Sequence, residues 1–298
     1  MKISVLISTY NRRSALARTL EAVLTQAYPL EKLEIVVLDD FGTDGTYEEL
    51  GGKTPELLSR GLRGFRAMRN ERNRGIAYGR MRLSESAAPD SEALLYLDDD
   101  VYLEKNTIGG LVRCLEEKPG CALVGPRLVY AAAPEKTAHC ANYVGRWSGR
   151  YSELDSSSET ECDWLNSSCF LARRKAIGGV RHAEDFYTAH EEVDFCLQLK
   201  NSGYSVIYSP GVRALHDLPL STACRRERLY YLYRNKLLIF KRNFPAARMI
   251  TASLITCLLG LPLYLLESLR YNKGVNTKEL KLVFRAVLDG LSGRSGKI

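Results

Sequence analysis

The feature that most restricts the fold is the apolar run 94–97, which ends in the three consecutive carboxylates Asp98, Asp99 and Asp100. A short apolar run bounded by charge is typical of a buried strand. Carboxylates at the carboxyl end of such a strand lie at the edge where open α/β sheets bind ligands. Three adjacent acids repel one another, and a hard cation such as Mg²⁺ or Mn²⁺, bound with a diphosphate, keeps them ionised. The alternative is a solvated acidic turn.

Strand and helix patterns alternate along the first half of the chain. Apolar strands are predicted at 3–8, 33–38, 65–69 and 94–97, and a helical pattern separates each strand from the next. This alternation predicts an α/β fold with a mostly parallel, Rossmann-like sheet that is flanked by helices on both faces.

Polar side chains follow three of these strands, at Thr9-Tyr10-Asn11, at Asp39-Asp40 and at Asp98-Asp99-Asp100. Because the carboxyl ends of parallel strands meet at one edge of a sheet, these residues are expected to line one crevice. The loop after the first strand lacks a G-x-G-x-x-G pattern, which argues against a dinucleotide-binding oxidoreductase.

The pattern in the second half of the chain is weaker. Residues 126–162 show little periodicity, and they are predicted to be irregular and to face the substrate. Strand character returns at 164–174 and at 204–208. Between these strands, Glu191-Glu192-Val193-Asp194 begins a helix. Acids at a helix start are stabilised by its dipole, so this structural role is the alternative to a chemical one.

The net charge of +7 is concentrated near the C-terminal end of the chain. Residues 225–248 carry eight basic residues against one acid, Glu227, so this segment alone accounts for the net charge. A localised basic segment indicates a polyanionic surface, either membrane or nucleic acid. The eighteen uncharged residues 249–266 that follow favour a membrane.

The uncharged segment 249–266 is too short and too interrupted for a simple membrane span. As a helix it reaches about 27 Å, less than the ~30 Å thickness of a hydrocarbon core, and Gly260 and Pro262 interrupt it. We expect a monotopic or re-entrant anchor, with a buried core or dimer helix as the alternative. An amphipathic helix is expected after residue 276.

Two other features favour the cytoplasm. The eight cysteines include no C-x-x-C pair, and several lie inside apolar runs, as is typical of reduced core thiols. Met1-Lys2 leads directly into a short strand, so no signal peptide is expected. The expected location is cytoplasmic, peripheral or monotopic at the inner face of the cell membrane.

Several motifs occur together in an order and spacing typical of one enzyme family. They are Ser8-Thr9-Tyr10-Asn11-Arg12, the segment 37–46, Asn73-Arg74-Gly75, Asp98-Asp99-Asp100, Glu191-Glu192-Val193-Asp194 and Tyr230-Tyr231-Leu232-Tyr233-Arg234-Asn235-Lys236. With these motifs the chain resembles the family 2 glycosyltransferases, inverting enzymes with the GT-A type nucleotide-sugar fold, from residue 3 to about residue 245. The last motif resembles their rhamnosyltransferase-like branch.

The resemblance implies a domain organisation. A GT-A glycosyltransferase domain is expected at 1–220, with a nucleotide-sugar half at 1–125 and an acceptor half at 126–220. A basic and apolar helical region at 221–298 is expected to associate with the membrane.

The resemblance also implies roles for individual residues. Contacts with the nucleotide sugar are expected from Thr9, Tyr10, Arg13, Asp39, Asp40, Asn73, Asp98 and Asp99. A divalent metal, Mn²⁺ or Mg²⁺, is expected on Asp98, Asp100 and His216, where it neutralises charge on the leaving nucleotide. For Asp39 and Asp40 the alternative is helix capping, and for His216 it is a hydrogen-bonded structural role.

The general base is expected at the helix start at 191. Inversion needs one group that deprotonates the acceptor hydroxyl, and it needs no enzyme nucleophile. The family commonly has Glu-Asp-x-Asp here with the second acid as base, which implies Glu192. Because this chain has Glu where Asp is common, Glu191 remains a rival.

The implied function is inverting transfer of a hexosyl or deoxyhexosyl group from a nucleotide-diphosphate sugar to a glycan or lipid-linked glycan acceptor, in the synthesis of cell envelope polysaccharide or lipid-linked glycan. One alternative is a nucleotidyltransferase, although the basic Gly-rich loop expected after its first strand is not obvious. The other alternative is a non-catalytic, basic membrane-binding protein. No nucleic-acid partner is expected.

Overall fold

The structure is a computed structural model that describes residues 1–180, 182–220, 226–260, 262 and 277–298. The strands are β1 (Ile3–Thr9), β2 (Leu33–Asp39), β3 (Gly64–Arg69), β4 (Ala93–Asp98), β5 (Val101–Leu103), β6 (Cys121–Tyr130), β7 (Ala133–His139), β8 (Ala141–Val144), β9 (Tyr151–Leu154), β10 (Thr160–Glu161), β11 (Cys169–Arg173) and β12 (Ser205–His216). The helices are α1 (Arg13–Leu24), α2 (Thr46–Ser59), α3 (Ile76–Ser86), α4 (Thr107–Glu117), α5 (Arg174–Ile177), α6 (Glu191–Asn201), α7 (Arg226–Asn243), α8 (Ala246–Ile255) and α9 (Thr277–Ser292).

One central sheet runs in the order β10-β12-β6-β11-β4-β1-β2-β3, with β5 paired to β12 and β7 paired to β6. β1, β2, β3 and β4 are parallel, as predicted. The sheet becomes mixed in the second half of the chain, because β11 lies antiparallel between β4 and β6. The predicted α/β fold with flanking helices is therefore confirmed, and parallel pairing dominates only in its N-terminal half.

The prediction that residues 126–162 are irregular was wrong. This range contains the end of β6, the strands β7 and β10, and the separate hairpin of β8 and β9. These strands are short, and β7 and β9 expose much of their length. They therefore lack the continuous apolar alternation that marks a buried strand in a sequence.

Two apolar cores cover the faces of the sheet, because successive side chains of a strand point to opposite faces. In β1, Val5 and Ile7 belong to the core that includes α1 and α4, whereas Leu6 belongs to the core that includes α3 and α6. This three-layer arrangement holds the carboxyl ends of β1, β2 and β4 open at one edge.

A third core joins the C-terminal helices to α6. Leu237 and Phe240 of α7 and Val287 of α9 belong to one buried cluster with Val193 and Phe186. The C-terminal helices thus pack directly on the helix that carries the predicted base.

Within the described part of the chain, no helix combines the length and the apolar character that a membrane crossing requires. Part of the predicted anchor at 249–266 lies outside the described residues. The domain boundary at 220 and the membrane association of 221–298 stay predictions. All the cysteines that the structure describes are free thiols.

Candidate active site

The strand register brings the predicted polar ends together at one edge. Thr9 of β1 is paired with Asp39 of β2, and Ser8 is paired with Asp98 of β4. Hydrogen bonds across the edge join the loops, since the side-chain oxygen of Asn11 accepts from the backbone N–H of Thr43 at 2.7 Å. Residues that are far apart in sequence therefore line one crevice.

A cluster with metal-ligand chemistry lies in this crevice. One oxygen each of Asp98 and Asp100 and one ring nitrogen of His216 lie within 4.8 Å of one another. His216 ends β12, and its Nε2 lies 3.3 Å from Oδ1 of Asp100. Its Nδ1 is buried and finds no hydrogen-bond partner among the residues that the structure describes. Carboxylate oxygen and imidazole nitrogen are suitable ligands for Mn²⁺, so these residues fit the metal that the sequence predicts.

Arg12 balances the negative charge of the acid triplet. Its guanidinium pairs with Asp99 and with Asp100, and about half of its side chain is exposed. Burial raises the pKa of Asp99 to about 7. Burial acts in the same direction on Asp100, but hydrogen bonding to His216 and the charge of Arg12 outweigh it and lower the pKa of Asp100.

A cavity of about 490 Å³ opens beside Asp100. It is lined by Asn11, Arg12, Arg13, Ser14, Ala15, Asp44, Asp100 and Asp217. The predicted nucleotide contact Arg13 lies in this lining, and its Nε also lies 3.3 Å from Oε2 of Glu49. Arg12 belongs to the motif at 8–12 but was not among the predicted site residues, yet it is the arginine that pairs with Asp99 and Asp100.

The other predicted donor contacts divide into exposed and internally bonded groups. Tyr10 is 48 % exposed, whereas Thr9 and Asp39 are buried. Asp40 accepts hydrogen bonds from the side chain of Asn70 at 2.7 Å and from the backbone N–H groups of Arg74 and Gly75, both at 2.8 Å. Asp40 therefore fixes the turn that precedes α3.

Asn73 lies in this turn and contacts the segment before α6. Its side-chain oxygen accepts from the hydroxyl of Tyr187 at 2.8 Å. Gly75 packs so closely on Tyr187 that an added Cβ would lie 2.3 Å from the Tyr187 carbonyl oxygen. The turn thus connects the donor side of the crevice to the segment before α6.

Arg80 is a buried bridge between the two groups of acids. Its guanidinium donates to Oδ1 of Asp98 at 2.8 Å and pairs with Glu191. Arg80 was not among the predicted site residues, although the sequence contained a signal for it. Arg80 lies three residues from Ala77 and three from Leu83, which are both buried, so it occupies the core-facing side of α3. A charged residue on such a stripe needs a partner.

The two glutamates at the start of α6 have different surroundings. Glu191 is buried, and one of its carboxylate oxygens pairs with Arg80. Its other oxygen has no hydrogen-bond partner within the described part of the protein. Burial and the charge of Glu191 raise the pKa of Glu192 to about 8, against the opposing charges of Arg80 and Arg228. A carboxylate with a raised pKa accepts a proton more readily, which is the property of a general base.

The segment before these glutamates has unusual backbone geometry. Tyr187, Ala189 and His190 have φ values of 65°, 67° and 65°, in the left-handed region that side chains disfavour. Asn235 holds this segment, because its Nδ2 donates to the carbonyls of Thr188 at 2.8 Å and Ala189 at 2.7 Å.

Arg234 supports the same segment. It donates to the carbonyl of Phe186 at 2.9 Å, and both Arg234 and Asn235 are fully buried. The sequence motif at 230–236 carried no assigned role, and these contacts give it one.

The fold and the arrangement of acids agree with the relatives of the chain. A family model described as "Glycosyl transferase family 2" matches residues 4–180, more than half of the chain. The chain belongs to this family of glycosyltransferases, which confirms the resemblance. A glucosyl-dolichyl phosphate glucuronosyltransferase of Haloferax volcanii is 32% identical over 234 residues, which cover 73% of this chain and 70% of that protein.

Solved structures support the GT-A fold. GalNAc-T7 with UDP, GalNAc and Mn²⁺ aligns with a TM-score of 0.62 and 18% identity, over 81% of this chain and 48% of that one. A mannosyltransferase of Pyrobaculum calidifontis in complex with GDP-Man and Mn²⁺ aligns with a TM-score of 0.61 and 15% identity, over 98% of this chain and 88% of that one.

Proposed function

We propose that the protein is a metal-dependent, inverting glycosyltransferase in which Glu192 is the general base. The observation that carries the proposal is the buried bridge of Arg80, which ties the metal-ligand cluster around Asp98 to the glutamates of α6. Donor and base chemistry then meet in one crevice. The proposal is supported by membership of glycosyl transferase family 2.

The donor is a nucleotide-diphosphate sugar that transfers a hexosyl or deoxyhexosyl group. Its nucleotide occupies the carboxyl ends of β1 and β2, where the exposed ring of Tyr10 provides a stacking surface for a base. Thr9, Arg13, Asp39 and Asp99 provide the polar contacts. Asp40 and Asn73 act indirectly, because their side chains hold the turn before α3.

Asp98, Asp100 and His216 hold a divalent metal, Mn²⁺ or Mg²⁺. When bound, such an ion supplies Lewis-acid stabilisation of the leaving diphosphate. Arg12 pairs with Asp99 and Asp100 and provides a positive charge beside this site.

Glu192 takes the proton from the acceptor hydroxyl. Its raised pKa suits this role, because a base with a pKa near the working pH is both available and strong enough. Glu191 is less suited, since its carboxylate is paired with Arg80. We assign Glu191 the role of holding Arg80 in place.

The acceptor is a glycan or lipid-linked glycan, and the enzyme works at the inner face of the cell membrane in the synthesis of envelope polysaccharide or lipid-linked glycan. Support comes from the name of the Haloferax volcanii relative, which includes a dolichyl phosphate, and from the positive charge of the segment 225–248, apart from Arg234, which is buried, and Arg242, which is paired with Asp185. The rhamnosyltransferase-like branch stays a prediction.

Calorimetric titration tests this function directly. Purified protein is titrated with UDP, GDP and dTDP, each with and without Mn²⁺. Binding of one nucleotide that requires the metal is the expected result. If none of the three nucleotides binds under either condition, the proposal is wrong and the non-catalytic alternative gains weight.

A further inference from the structure

The tip of the β8–β9 hairpin, residues 145–150, exposes a tryptophan between arginines. Trp147 is 57 % exposed, and Arg146 and Arg150 are exposed beside it. The tip contains no acid. Tryptophan is enriched at membrane–water interfaces, because its ring is apolar and its N–H is polar.

The hairpin tip is held on α7. The backbone N–H of Gly145 donates to the carbonyl of Arg150 at 2.8 Å and closes the turn. Gly149 has a φ of 63° and lies against the ring of Phe240, where an added Cβ would be 2.2 Å from a ring carbon. Packing on Phe240 of α7 therefore fixes the position of the tip that carries Trp147.

The tip continues into an exposed apolar stripe on α8. The guanidinium carbon of Arg248 lies 5.5 Å from the ring centroid of Trp147. Ile250 and Leu254 of α8 are each 52 % exposed, and the stripe extends to Leu258, which lies in the π-helical turn Thr256–Gly260 directly after α8 and is 67 % exposed. Residues 246–260 carry Arg248 and no acid.

We propose that this docking surface, formed by residues 145–150 and the exposed stripe of α8, binds an anionic lipid bilayer. Arginines next to exposed leucines and a tryptophan match the charge and depth profile of a bilayer interface. A second copy of the chain would bring the same arginines against each other, which electrostatic repulsion disfavours.

The docking surface lies next to the segment that precedes the two glutamates of α6. Tyr151 directly follows the tip, and its ring packs against His190 with centroids 5.0 Å apart. His190 precedes the two glutamates of α6. If Glu192 is the base, on which this step rests, an acceptor anchored in the bilayer presents its head group directly to the catalytic side.

Fluorescence quenching locates the contact, since the chain has two tryptophans, of which Trp147 is exposed. Full-length protein is mixed with vesicles of phosphatidylglycerol and brominated phosphatidylcholine. Quenching is expected for the wild type and not for Trp147→Phe, in which Trp164 alone reports. Equal quenching of both proteins would place a different surface on the membrane and overturn the proposal.

Vesicle sedimentation measures how much each side chain of the docking surface contributes to the affinity for the bilayer. Trp147→Ala is expected to weaken binding to phosphatidylglycerol vesicles about ten-fold, and Arg146→Gln and Arg150→Gln roughly five-fold each. Leu58→Ala, at an exposed leucine of α2, is the matched control and should bind like the wild type. Binding of the wild type to pure phosphatidylcholine as tightly as to phosphatidylglycerol would refute the role of charge.

Two readouts separate this inference from the proposed enzyme function. Nucleotide binding with Mn²⁺ is expected to be unchanged in Trp147→Ala and Leu58→Ala, because neither residue lies in the crevice. If the wild type binds none of the nucleotides but still binds vesicles, the enzyme function is refuted and the lipid-docking inference stands. A change of oligomeric state in Trp147→Ala by size exclusion, without loss of vesicle binding, would identify a second copy as the partner and overturn the proposal.

Discussion

Asn235→Ala is the most informative single change, because it disturbs the base without touching it. The side chain of Asn235 is fully buried, and its amide nitrogen donates hydrogen bonds to the carbonyls of Thr188 and Ala189. A buried carbonyl left without a partner costs about 1–3 kcal/mol. Loss of both hydrogen bonds is therefore expected to destabilise the native conformation of the segment 187–190 by roughly 2–6 kcal/mol.

The segment needs this support, since three of its residues have left-handed backbone geometry. Such residues cost of the order of 1–3 kcal/mol each, so the segment relaxes when its bonds are lost. A misalignment of Glu192 worth about 2 kcal/mol lowers kcat roughly thirty-fold. We expect Asn235→Ala to show this loss in steady-state turnover while its affinity for the nucleotide, measured by calorimetry, stays within two-fold.

The matched control is Asn243→Ala. Asn243 lies on the same helix and donates to Asp194 of α6 at 2.7 Å, but it makes none of the bonds that hold 187–190. We expect Asn243→Ala to lower the melting temperature about as much as Asn235→Ala does, while its kcat is largely retained. If both variants lose kcat equally, or if Asn235→Ala keeps full turnover, Asn235 does not position the base.

The remaining predictions concern the acids of the site. Glu192→Gln should keep nucleotide affinity and lose roughly 10²–10⁴-fold in turnover; greater loss in Glu191→Gln than in Glu192→Gln would reverse the assignment of the base. Because the pKa of Glu192 is raised to about 8, kcat/KM of the wild type should rise roughly ten-fold per pH unit below that value and then level off. The fold favours the protonated form, so the melting temperature of the wild type relative to Glu192→Gln should fall as the pH rises towards 8. Asp100→Ala should abolish the Mn²⁺-dependent part of nucleotide binding in calorimetry, and full retention of that part would remove Asp100 from the metal site.

The N-terminal half of the fold was predictable because three of its four parallel strands, β1, β2 and β4, are buried on both faces. Such strands appear in a sequence as continuous apolar runs, and their parallel order follows from the helices between them. The residues at their carboxyl ends then fall together without further information, as Thr9, Asp39 and Asp98 do.

The second half was less predictable for two physical reasons. The short strands between 126 and 162 expose much of their surface, so apolar periodicity is weak there. The buried charges also act through tertiary contacts: Arg80 meets Glu191 across 111 positions of sequence, and Asn235 meets Ala189 across 46. Local sequence patterns do not predict contacts between residues so far apart in the chain, although the position of Arg80 on the core-facing side of α3 was a usable signal.

The bridge made by Arg80 also limits how this enzyme can diverge. Removing one member of a buried ion pair leaves an uncompensated charge, which costs about 3–5 kcal/mol. Arg80 and Glu191, which are both buried, should therefore change in evolution only together, since replacement of either one alone passes through an unstable intermediate. A designer who wishes to alter donor preference has more freedom at the rim of the crevice, where the ring of Tyr10 is 48 % exposed.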